Sequence, residues 1–229
     1  MPLDQAAGLR RRSARQPLRC IHCLFDSAVS TVKLAHALHL RGATSLLVDS
    51  SGRGFADAPA RSLFDWKQQL QRGQLRTLPQ SYGDGWHAPG VRADEPALLG
   101  VARGYDQVVF DVGSSDTDWV LMPGAVDAVI VEAQPTRESM LRAYALLKTL
   151  SHAKHGLSVG LLGDPAACDQ LVAACSHFLE RRFAQAIFSV AHEVDAFSML
   201  AARMTDEETS LMACYKTARY KTESTGTWP

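Results

Sequence analysis

The chain has 229 residues, 46% of them hydrophobic and 21% charged, which suits one α/β domain with a sizeable core. Its 24 Lys and Arg equal its 24 Asp and Glu, so no net field points to nucleic acid or acidic lipid as a partner. Basic residues nevertheless crowd the N-terminus at Arg10, Arg11, Arg12, Arg15 and Arg19.

Those arginines are not followed by an apolar h-region, and no apolar run reaches the length of a membrane span. A cytoplasmic, reduced protein is the expectation. The five cysteines follow no framework spacing. Cys20-x-x-Cys23 has the form of a metal or redox pair, but it lies in an apolar strand and reads as two buried structural thiols. The eight histidines are scattered. His36 and His39 share a helix, yet no spacing joins them as ligands, so neither a metal nor a cofactor is expected.

Residues 1–16 precede the first strand as a basic tail, or as a short segment that folds on a partner; Pro17 sets them apart. Residues 20–25 form an apolar strand. Asp26, Ser27, Ser30 and Thr31 then supply turn and cap chemistry. A helix follows, with Val32, Leu34, Ala35 and Leu38 on its apolar face and Gly42 at its end. Residues 43–49 are again a strand, which completes a βαβ unit.

Many proteins place a phosphate-binding loop, GxxxxGK[ST], in that first turn. Here no glycine and no lysine stands between Leu24 and Thr31. Asp26 would repel a triphosphate, and Val29 would hold the backbone away from it.

Further along, residues 61–71 suit a helix, and residues 83–90 a loop with a strand pair around Trp86. A short helix over 94–101 leads to a strand over 108–112 that contains Asp111. That strand has the form of a Walker B segment, whose aspartate helps hold magnesium. A strand over 127–132 precedes a helix over 137–150, with Met140, Leu141, Tyr144, Leu147 and Leu150 on the buried side. Then come a strand over 157–162, one long helix over 166–181, an edge strand over 186–190, and helices over 194–203 and 206–220. Regular alternation of strand and helix predicts one doubly wound, mostly parallel α/β sheet over residues 17–222, with a polar tail over 223–229.

The order of elements resembles the MinD/ParA group of P-loop ATPases, and within it the FlhG (FleN) family of flagellar number regulators. Asp4-Gln5-Ala6-Ala7-Gly8-Leu9-Arg10 matches that family's DQAxxLR pattern. Leu34-Ala35-His36-Ala37-Leu38 resembles its LAxAL helix, and Asp111-Val112-Gly113 its Walker B turn. Pro135 with Ala143-Tyr144-Ala145-Leu146-Leu147-Lys148 resembles its PExxxxxxAYALIK helix, and Phe178-Leu179 its FL pair.

The departures matter as much. The KGGVGKT loop is missing, and Asp49-Ser50-Ser51-Gly52-Arg53-Gly54 stands where the family has DADxGxAN. The family's adenine-recognising asparagine has no counterpart, since the chain contains no asparagine at all. Asp26, Ser27, Ser30, Thr31, Asp49 and Asp111 are then the vestiges of a nucleotide site, and a pseudo-ATPase without catalytic residues is the expectation.

The resemblance implies that residues 1–16 bind an FlhF-like GTPase of the signal-recognition-particle type and stimulate it, alongside contacts with other flagellar proteins. Asp4, Gln5, Ala6, Leu9 and Arg10 would make that contact, with Gln5 nearest the partner's site. It also implies at most weak membrane-surface contact through the helix over 206–220, at the inner membrane or the cell pole. Without nucleotide, a monomer is expected. The alternative is a MinD-like accessory scaffold of another cell-envelope machine, such as cellulose secretion or pilus positioning.

Overall fold

The computed structural model describes residues 18–50, 53, 84–87, 92–94, 96–113, 120–152 and 157–205. Its elements in chain order are β1 (Arg19–Leu24), α1 (Ala28–Leu40), β2 (Ser45–Asp49), β3 (Asp84–His87), α2 (Pro96–Ala102), β4 (Gln107–Asp111) and β5 (Val126–Ala133). After them come α3 (Arg137–Ser151), β6 (Ser158–Gly163), α4 (Pro165–Phe178), α5 (Arg181–Ala186), β7 (Ile187–Ala191) and α6 (Ala196–Thr205).

Among the described residues, seven strands form one sheet in the order β3-β2-β4-β1-β5-β6-β7. All six pairings are parallel, as the doubly wound reading predicts. β1 lies between β4 and β5, so the chain builds outward from it in both directions. Parallel strands are covered on both faces, which is why β1, β4 and β5 are buried nearly throughout, their polar residues included.

Successive residues of β1 feed two separate cores. Cys20 and Leu24 join the face that holds Val108, Phe110, Val129, Val131 and buried residues of α2, α3 and α4. Ile21 and Cys23 join the opposite face, with Val109, Ile130 and residues of α1 and α6. The period of two therefore puts Cys20 and Cys23 on different sides of the sheet. They are buried thiols, as expected, and cannot act as a pair.

Ser27 caps α1 by accepting a hydrogen bond from the Val29 N–H at 3.2 Å. Thr136 caps α3 through Ser139 N–H, and Asp164 caps α4 through Ala167 N–H, with Pro165 in the first turn. α1 buries Leu34, Ala35 and Leu38, and also Ala37, while Val32 is only partly buried.

Three expectations need correction. The helix over 166–181 is broken: Leu179 is extended, its N–H bonds the Cys175 carbonyl at 2.9 Å, and α5 starts afresh at Arg181. The break lets Leu179 and Phe183 both reach the same core. On α3 the buried face is Ser139, Ala143, Leu146, Leu147 and Leu150, so Leu141 is exposed, and Met140 and Tyr144 are half-buried. Met140 and Tyr144 still pack against the core while bordering an open groove between α3 and α4, which Leu141 lines from outside the core. Finally, residues 84–87 form a full edge strand on β2 rather than a single residue pair. The helices expected over 61–71 and 206–220 lie outside the described residues.

Candidate functional site

In a doubly wound sheet, ligands gather beyond the carboxyl ends of the strands, where the connections diverge. Here that place is the end of β1, beside β4 and β5. The β1–α1 connection is Phe25-Asp26-Ser27. Phe25 is fully buried and meets Phe197 of α6 edge-on, with ring centroids 6.4 Å apart. A large side chain therefore anchors the turn inward, where a phosphate loop would use small residues.

The polar groups of the turn are taken up internally. The Asp26 N–H donates to Glu132 Oε2 at 2.8 Å, and Gln134 Nε2 holds the other oxygen of Glu132 at 2.9 Å. The Asp26 carboxylate accepts from Arg142 Nη2 of α3 at 3.0 Å. The Ser30 N–H bonds the Ser27 carbonyl at 3.1 Å. Glu132 and Arg142 are thus two site residues that the sequence reading missed; each lies more than a hundred positions from the turn it closes.

Asp111 ends β4, with its Cα in register with Cys23 of β1 and Asp49 of β2. Its side chain is buried and accepts from Thr31 Oγ1 at 2.8 Å. Thr31 is buried in the first turn of α1, so this bond ties the start of α1 to the end of β4. The Asp111 carbonyl accepts from Ser50 Oγ at 2.9 Å.

Arg53 completes the site. Its Nη2 lies 3.1 Å from Asp111 Oδ1 and 3.1 Å from the Phe25 carbonyl oxygen. Its Nη1 lies 3.0 Å from the Asp26 carbonyl oxygen. The guanidinium also packs on Gly113, where a Cβ would come within 3.1 Å of Arg53 Cζ. Gly113 has φ +84°, so both its conformation and its bare Cα suit this contact. Asp111 Oδ1 and the Phe25 and Asp26 carbonyl oxygens thus all face one planar cation of the same chain. Sequence reading placed Arg53 only in a loop, with no signal of this role.

Cys23 sits behind Asp111, and its thiol is pushed well above the usual range by burial and by the Asp111 carboxylate. It is not a nucleophile at neutral pH.

Of the predicted residues, the structure brings together Asp26, Ser27, Thr31 and Asp111, with Ser30 buried beside them. Asp49 shares the strand-end register, and nothing further is described for it. Asp4, Gln5, Ala6, Leu9 and Arg10 lie outside the described residues.

Comparison with known proteins gives fold-level likeness. No family model and no curated protein matches the chain. Solved structures similar to the chain include the following three. The ParA family ATPase from Chlorobium tepidum TLS has 16% identity and a TM-score of 0.47, covering 87% of this chain and 97% of its own. The MinD cell division protein of Aquifex aeolicus has 13% identity and a TM-score of 0.49, covering 92% and 99%. A chain of the MinC:MinD cell division protein complex from Aquifex aeolicus has 14% identity and a TM-score of 0.40, over the same shares.

No helix of the described residues is long and apolar enough to cross a membrane.

Proposed function

We propose that the chain is a MinD/ParA-type domain that does not use ATP, and that it regulates flagellar number or placement by binding an FlhF-like GTPase. The carrying observation is the Arg53 guanidinium, bonded to Asp111, Phe25 and Asp26 where such ATPases place magnesium and phosphate. A cation already neutralises Asp111, and the turn below it has neither lysine nor glycine. A domain of this kind acts through its surface rather than through hydrolysis.

The partner is proposed from the match of residues 4–10 to DQAxxLR. In this reading Leu9 anchors the segment in an apolar contact, Arg10 pairs with acidic groups, and the Gln5 amide positions water at the partner's phosphate. The segment acts while the sealed domain serves as its carrier. A peptide of residues 1–16 tests this directly by raising the GTP hydrolysis rate of the partner on its own. Leu9→Asp should abolish binding, whereas Gln5→Ala should keep binding and lower the stimulated rate. If neither substitution changes stimulation, the flagellar reading fails and a scaffold for another envelope machine takes its place.

A further inference from the structure

A second cluster lies at the other end of the sheet, on the face away from α1. Cys20 and His22 stand two apart on β1, so their side chains share one face. Asp127 of β5 is the register partner of Cys20. All three are buried in the core, and their donor atoms lie within 4.8 Å of one another.

The distances are informative. His22 Nε2 is 3.4 Å from Cys20 Sγ and 3.3 Å from Asp127 Oδ1. A single ring nitrogen carries one hydrogen or one lone pair, so serving both neighbours by hydrogen bonding takes one shared, three-centre bond with two long arms. A histidinium–carboxylate bond in a dry core also closes to about 2.7–2.9 Å. A tetrahedral zinc has bonds of about 2.0 Å to nitrogen and oxygen and about 2.3 Å to sulfur. It sets the N···O edge at about 3.3 Å and the N···S edge at about 3.5 Å. The two edges of the structure fit that polyhedron.

Charge and support agree. A thiolate, a carboxylate and a neutral imidazole around a dication sum to zero, which suits a site on the buried apolar face that Cys20 shares with Val129 and Met122. The Met122 N–H donates to Asp127 Oδ1 at 3.2 Å and fixes the carboxylate. The His22 ring stacks on Phe110, with centroids 5.5 Å apart and planes 19° apart, which sets the direction of Nε2.

We infer that Cys20, His22 and Asp127 supply three ligands to a buried site for a tetrahedral transition-metal ion of the zinc class, whose fourth position falls to water. The site joins β1 to β5 from within, independently of the residues around Asp111. Because it is buried, the ion enters as the chain folds.

The test uses the full chain, expressed in zinc-supplemented and in cobalt-supplemented medium. The purified zinc form should hold about one metal per chain by elemental analysis. Zinc-edge X-ray absorption should show one sulfur at about 2.3 Å together with nitrogen or oxygen at about 2.0 Å. The cobalt form should show a thiolate charge-transfer band that Cys20→Ser removes and Cys23→Ser retains. Less than about half an equivalent of zinc would overturn the inference, as would a shell with no sulfur or with two. A charge-transfer band that survives Cys20→Ser would do the same. Should Cys20→Ser fail to fold, the wild-type absorption spectrum decides alone.

Discussion

One guanidinium joins the end of β4 to the β1 turn: Arg53 Nη2 stands 3.1 Å from both the Asp111 carboxylate and the Phe25 carbonyl. A nucleotide entering there would have to displace it and then lie against Asp26. Calorimetry with magnesium and ATP should therefore give no binding at concentrations up to about 1 mM. Arg53→Ala should not create affinity, and neither should Ser27→Lys, because the glycines that admit a phosphate are still missing. A micromolar dissociation constant for the native chain would defeat the pseudo-ATPase reading.

Thr31→Val should destabilise the fold by about 1–3 kcal/mol in urea unfolding, since it strips a buried carboxylate of its 2.8 Å hydroxyl donor at nearly constant volume. Arg53→Ala should cost less, at most about 1 kcal/mol, because that side chain remains 32% exposed and its charge is screened. If Arg53→Ala proves the costlier of the two, the guanidinium holds the turn more firmly than its exposure suggests.

Two glycines of β6 should behave differently. A Cβ on Gly163 would sit 1.9 Å from the Ala133 carbonyl oxygen and 2.8 Å from the carbon of the same carbonyl. That obstacle is backbone and cannot retreat without parting β5 from β6, so Gly163→Ala should cost more than about 4 kcal/mol or abolish folding. A Cβ on Gly160 would meet the Phe188 ring at 2.8 Å. The ring belongs to an edge strand and can swing aside, so Gly160→Ala should cost only about 1–2 kcal/mol. Equal losses in thermal unfolding would contradict this contrast.

Buried thiols set an alkaline limit. Burial, reinforced by Asp169 and Asp164, pushes Cys168 up to about 11; burial also raises Cys175, and Cys23 lies well above its usual range. A folded-state value above the unfolded one means that the unfolded chain gives up its protons first. The stabilising effect is complete below the unfolded thiol's value near ~8.5 and is lost as pH climbs toward that of the folded thiol. Melting temperature should fall across that window, and Cys168→Ala should flatten the fall. Iodoacetamide at pH 8 should modify the native chain at least about tenfold more slowly than the urea-unfolded chain.

Much of this architecture was legible locally. Ser27 as a cap, Asp111 as the end of an apolar strand and the alternating β1 residues all follow from short-range periodicity. So does the proximity of Thr31 to the strand ends, because a βαβ unit returns the start of its helix to that edge. What stayed hidden depends on residues far apart in sequence. Arg53 lies in a connection whose path no periodicity predicts, and Asp127 meets His22 only through strand order. The Cys20-x-x-Cys23 spacing reads as two buried thiols, and they are buried on opposite faces; the convergence of Cys20 with His22, two apart on the strand, gave no such signal. Leu141 was assigned inward because α3 carries apolar residues around much of its girth, and only its neighbours decide which stripe is covered.

The ends of the folded body lie together. β1 starts at the amino edge of the sheet, and Arg19 Nη1 donates to the Met204 carbonyl near the close of α6, while Arg41 Nε reaches Thr205 Oγ1 at 2.8 Å. Residues 18 and 205 therefore lie at one pole, with the length of the strands between them and Arg53. A body cut at residues 18 and 205 is thus suited to circular permutation: a short linker across that pole, with new ends opened on the opposite side, would preserve every described strand pairing. A label placed at residue 18 or at residue 205 would report on the same neighbourhood, a strand's length from the sealed turn.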